Sequence, residues 1–353
     1  MPRSAPSETA PFVPPYPPSW FDRLTQWVDR LPGPAWAFYL ALALIIYIVE
    51  TLVQWQSGTT PFGSFLPTHT AMAMAAFALG LGHYLKAYSG RAFDSYRPAL
   101  LADEAEARMI RYRFTVMTRR GALLASIGGV AVGVAGTLAN GIPFWQILNL
   151  ATSPLSTLFN TLLGVATWAT FLTVVYMILR QLRIVSTLFS SRTRVDLFGL
   201  EPLYALTGLT ARAAVSFLAI PALFVILAPG IREQRAYLLV AVAASSIAGS
   251  TFLLPLLGIH RLLVAEKTLR LADQSRRMRA AIDDLHQRMD RRRLRQMDDL
   301  YKAMAGLDIE RGMLSKIPTW PWEPGSIRGV GAAILLPLFL YVAQQILARV
   351  LGG

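Results

Sequence analysis

Chemistry in an apolar chain falls to its few polar side chains, and two sets stand out in these 353 residues. The first is Glu50 with His69. Glu50 lies about one and a half helical turns before Trp55 at the end of the first apolar run, and His69 opens the next run at a similar depth. A carboxylate bonded to an imidazole can relay protons or hold a cation. The competing reading is that both reach interfacial water, and it is favoured because neither is at the midplane.

The second set is Tyr341, Gln344 and Gln345, whose i, i+3, i+4 spacing gathers them on one face of an aliphatic run that follows Pro337. Two amides in hydrocarbon need partners: pore water, a symmetry mate or another helix. If copies assemble with this face inward, the result is a neutral polar ring that conducts without strong charge selection. Within one bundle the same amides bond to neighbouring helices.

Other chemistries are excluded by residue type. Cys is absent, which removes thiolate ligands, disulfides and cysteine nucleophiles. His69, His83, His260 and His286 are scattered without metal-binding spacing, so no metal or cofactor is expected. There is no G-x-S-x-G and no phosphate-binding glycine loop. The carboxylate pairs Asp283-Asp284 and Asp298-Asp299 are sequence neighbours, which point apart on a helix. An enzyme is not expected.

The elements that position these residues are read from composition. Hydrophobic residues make up 54% of the chain and charged ones 16%, against about a quarter charged in soluble domains. Apolar blocks at 34–55, 68–88, 121–139, 157–180, 211–229, 236–258 and 329–350 have the length that crosses a bilayer core. They are continuous rather than alternating, so the expected fold is all-α with seven transmembrane helices. Gly129 and Gly133 in the third block, and Ser245 and Gly249 in the sixth, form small-xxx-small ladders that let helix backbones approach.

Of the 34 Lys and Arg residues, 31 fall on one side of this arrangement, leaving only Arg232, Arg235 and Arg349 on the other. The positive-inside rule then places the N-terminus in the cytoplasm and the C-terminus outside a cell membrane. Anionic inner-leaflet lipid accounts for the net charge of +13, and nucleic acid is not expected as a partner.

Residues 1–18 are rich in Pro, Ser and Thr and read as a disordered tail. Residues 19–33 read as an interfacial amphipathic helix, with Trp20, Phe21, Leu24, Trp27, Val28 and Leu31 on its apolar face and a Ser19/Asp22 capping box. Residues 34–258 hold six spans. Residues 259–326 read as a cytosolic helical hairpin broken near Asp290 to Arg292, followed by a Pro/Trp elbow at Ile317 to Pro324, and 327–353 hold the seventh span.

Two functions fit this plan. One is an oligomeric channel or ligand-gated pore, lined by Tyr341, Gln344 and Gln345 and assembled through coiled-coil pairing of cytosolic helices. The other is a membrane scaffold whose hairpin recruits a cytosolic protein.

Overall fold

The computed structural model describes residues 12–58, 60–65, 73–139, 154–227, 237–291 and 297–320, with Arg328, Gly331, Ala332, Leu335 and Phe339 beyond them. Among the described residues the protein is all-helical, with two isolated bridges, Pro18 with Thr118 and Leu100 with Thr193. The helices are α1 (Trp20–Val28), α2 (Ala35–Gln56), α3 (Met74–Tyr96), α4 (Glu104–Thr115), α5 (Arg119–Ala139), α6 (Pro154–Ser191), α7 (Glu201–Leu227), α8 (Tyr237–Asp290) and α9 (Met297–Lys316).

Local signals set their limits. The capping box that opens α1 is formed, the Ser19 hydroxyl accepting from the Asp22 N–H and the Asp22 carboxylate from the Ser19 N–H. Gly33 at φ 105° between two prolines turns the chain into α2. Asp103 caps α4 through the Glu106 N–H at 2.7 Å.

Among the described residues three helices are long and apolar enough to cross a membrane: α2, the Pro154–Phe189 part of α6 and the Ser245–Asp290 part of α8. On α2 the side chains of Leu40, Leu44, Ile45, Ile48 and Leu52 are exposed on the protein surface, as hydrocarbon-facing residues are. Helix α3 packs against α2, α6 and α7; α5 lies along α6; and α8 contacts α6, α7 and α9.

The largest core is built from Phe93, Tyr96, Phe114, Val185, Leu188, Phe189, Leu203, Leu206, Leu256 and Leu263. It sits where the ends of α3, α4 and α6 meet the start of α7 and the middle of α8. Reciprocal backbone bonds, Leu101 N–H to Arg192 and Arg194 N–H to Ala99, both 2.8 Å, stitch the turn after α3 to the turn after α6. The Tyr96 hydroxyl meets Thr193 Oγ1 at 2.6 Å beneath them, and burial pushes its phenol up to about 12.

Helix α8 runs 54 residues through Pro255, about 80 Å at 1.5 Å per residue. It ends at Asp290, and α9 returns antiparallel along it. Gln274 Nε2 donates to Leu307 O at 2.8 Å, Lys267 Nζ to Ser315 O and Ile317 O at 2.8 Å each, and His260 Nδ1 meets Thr319 O at 2.9 Å. The His260 ring stacks on Trp320 with centroids 3.9 Å apart, which holds the start of the elbow against α8.

Gln274 is buried inside this hairpin, and its Oε1 finds no donor. A single buried amide fixes the register of paired helices at some loss of stability. Gln274→Leu is therefore expected to raise the thermal midpoint followed by circular dichroism, while amide exchange along α9 speeds up. A lowered midpoint would show that the bond to Leu307 outweighs the orphaned oxygen.

Candidate functional site

The densest set of polar contacts gathers where α1 lies against the bundle. Asp22 is fully buried, and Lys86 on α3 places its ammonium 2.8 Å from Oδ1 while donating to Thr25 Oγ1 at 2.7 Å. The other oxygen, Oδ2, accepts from the Met117 N–H just before α5 at 2.9 Å and from the Ser19 hydroxyl at 2.6 Å. One carboxylate thus joins α1, α3 and the start of α5. A charge this deep is tolerated because Oδ2 is hydrogen-bonded and Oδ1, which accepts no hydrogen bond, is paired with the Lys86 ammonium.

A second link runs from the end of α1. His83 Nε2 lies 2.9 Å from the exposed Asp29, and Nδ1 lies 3.1 Å from the hydroxyl of buried Tyr39 on α2. This chain of groups leads from solvent into the bundle. A third link fastens the residues before α1. Arg180 on α6 donates to the Tyr16 hydroxyl at 2.6 Å and to Val116 O at 2.8 Å, and the Tyr112 hydroxyl donates to Tyr16 O at 2.6 Å. Burial raises the Tyr16 phenol above its ordinary range, and the Arg180 guanidinium beside it opposes that shift. Trp20 Nε1 adds a bond to Ser126, which meets Thr173 at 2.9 Å.

These contacts involve residues 1–18 and the face of α1. Composition assigns residues up to 18 to a tail, yet Tyr16 is held by α4, α6 and the turn between α4 and α5, because an aromatic ring with a hydroxyl can dock without a core of its own. Helix α1 buries Phe21, Asp22, Thr25 and Val28 against protein, while Trp27 is half exposed. Its inward face is therefore turned from the apolar face read in the sequence, because the Asp22 and Thr25 partners lie inside the bundle.

Of the residues singled out in the sequence, Glu50 is buried and accepts from Gln54 Nε2 at 2.7 Å, leaving Oε2 without a donor. His69, Tyr341, Gln344 and Gln345 lie outside the described residues. Gly129 is pressed against the α6 backbone, where a Cβ would collide with the Trp168 carbonyl, and a Cβ on Gly133 would stand 2.5 Å from the Trp168 ring. Ser245 is buried and Gly249 half-buried on α8.

Sequence reasoning missed the Asp22–Lys86 pair, the Asp29–His83–Tyr39 chain and Arg180 with Tyr16. The one local signal was the capping box, which placed Asp22 at the start of α1. No group of three or more His, Asp or Glu able to hold a metal occurs among the described residues. The seam clasps α1 to the bundle through buried charge and hydroxyl contacts.

Fold and site together define an all-helical protein with three helices able to cross a membrane and an N-terminal helix clasped to the bundle by buried charge. No protein family, curated protein or solved structure matches the chain.

Proposed function

We propose that the protein is a non-enzymatic, polytopic cell-membrane protein that assembles into a homo-oligomeric channel, with seven spans, a cytoplasmic N-terminus and an outer C-terminus. In this reading the last apolar block lines the path with Tyr341, Gln344 and Gln345, and the hairpin of α8 and α9 is the cytosolic assembly domain. One observation carries it. Helix α9 fills its seam with α8 through Leu300 and Leu314, yet shows a second apolar stripe at every fourth residue, Tyr301, Ile309 and Met313, which are 73%, 62% and 52% exposed. A stripe of this kind on a helix already paired calls for a further helix. The concentration of 31 basic residues on one side supports the orientation.

The same stripe supports a second reading, in which it recruits a cytosolic protein and the chain acts as a scaffold. Light scattering on the detergent-subtracted particle separates the two. A trimer to pentamer is expected, with Gln344→Leu changing conductance in planar bilayers at unaltered expression. A monomer, or currents indifferent to Gln344→Leu, would remove the shared polar ring and leave the scaffold.

A further inference from the structure

A cationic cluster on the seam between α3 and α7 is used by none of the contacts above. Arg212 on α7 lies over the Tyr88 ring at 4.1 Å, and donates to the Tyr84 hydroxyl at 3.2 Å, the Tyr88 hydroxyl at 2.9 Å and Gly208 O at 3.1 Å. Gly208 makes room for this fold, since a Cβ there would stand 2.9 Å from the Tyr88 hydroxyl and 3.0 Å from the guanidinium. Arg91 approaches the same ring at 5.6 Å. Two guanidiniums thus share one tyrosine, an arrangement that an anion bound beside them would favour.

No such anion comes from the described residues. Among the described residues neither Arg91 nor Arg212 pairs with a carboxylate; the acid nearest in sequence, Asp94, is held by Arg111 at 2.7 and 2.8 Å. Arg212 keeps Nη2 unbonded, and the Tyr84 and Tyr88 hydroxyls accept from Arg212 with their own O–H groups unspent. The unspent groups are all donors, and Arg212 and Arg91 are exposed, as is Tyr84.

Depth names the ligand. Arg212 stands at the start of the apolar part of α7, Ala213 to Leu227, and Tyr84 and Tyr88 at the end of the second apolar block, so the cluster lies at headgroup level on the basic side. Arginine forks match phosphate oxygens, and tyrosines belong in this zone. We propose that Arg91, Arg212, Tyr84 and Tyr88 bind the headgroup phosphate of an anionic phospholipid in the inner leaflet. The inference rests on α3 and α7 being spans and is independent of the pore.

The test uses the full chain purified in mild detergent, with thermal midpoint read against added phosphatidylglycerol, phosphatidylcholine or inorganic phosphate. Phosphatidylglycerol alone is expected to raise the midpoint. Its half-saturating concentration should rise at least tenfold in Arg91→Gln/Arg212→Gln, and stay within twofold in Arg279→Gln/Arg311→Gln, which removes equal charge from the hairpin. Tyr84→Phe/Tyr88→Phe, which keeps both rings, should weaken the response severalfold and serves where the arginine variant does not fold. An equal response to inorganic phosphate would assign the cluster to a free anion. Equal responses to both lipids, or equal losses in the two arginine variants, would overturn the proposal. Alkaline extraction of membranes checks the spans separately: release of the protein would refute the membrane reading and the lipid site with it, whereas retention with equal lipid responses would refute the site alone.

Discussion

Lys86→Met destabilises the protein by about 3 kcal/mol, at the lower end of the range for breaking one side of a buried ion pair. The cost arises from what is left behind. Asp22 is fully buried, and its Oδ1, which accepts no hydrogen bond, loses its ion-pair partner when the ammonium at 2.8 Å is removed. The loss stays at the lower end because Oδ2 keeps the Met117 and Ser19 donors. Asp22→Asn is expected to cost less, about 1 to 2 kcal/mol, since the Lys86 side chain is 14% exposed and its stem is long enough to carry the charge to water. The double variant Asp22→Asn/Lys86→Met recovers part of the single Lys86 loss, a coupling that thermal unfolding of the four proteins measures directly. A Lys86→Met cost below about 1 kcal/mol would mean that the pair is hydrated and the seam is not a clasp.

Gly129→Ala and Gly128→Ala, one residue apart, should shift stability in opposite directions. A Cβ on Gly129 runs into the Trp168 carbonyl and stands 3.1 Å from Ala169 Cα. Both obstacles are helix backbone and cannot turn aside, so α5 must move off α6 at a cost of about 1 to 3 kcal/mol. A Cβ on Gly128 meets only Leu172 Cδ2 at 3.6 Å, ordinary contact, and alanine gains up to about 1 kcal/mol over glycine in a helix. Paired melting curves give the comparison, and equal shifts of the same sign would show that α5 and α6 are not in the described contact.

These two sites also mark how far the sequence could be read. The all-helical class is visible because each apolar run is long and unbroken. The return of the chain after Asp290 is visible because the 3,4 spacing of apolar residues slips by five between Met289 and Leu294. The ladder of Gly129 and Gly133 announces a close helix, though not that Trp168 is what it meets. The seam around α1 was legible only in its local part, the Ser19/Asp22 box. Its other members, Lys86, Met117 and Arg180, lie 61, 95 and 164 residues from the groups they bind, and no periodicity links positions so far apart. Thr25 and Asp22 look like a solvated face because a helix taken alone shows polarity and not the partner that satisfies it.

The span between Tyr16 and Arg180 has a consequence for biosynthesis. A ribosome adds about 5 to 20 residues per second, so Tyr16 exists for roughly 10 to 30 s before the arginine that receives it. Until Lys86 and Met117 follow, the Asp22 carboxylate is left to water, and α1 is an amphipathic segment beside a growing bundle. Helix α1 thus docks well after it is made, and its closure requires that α3, the start of α5 and the far half of α6 have all arrived.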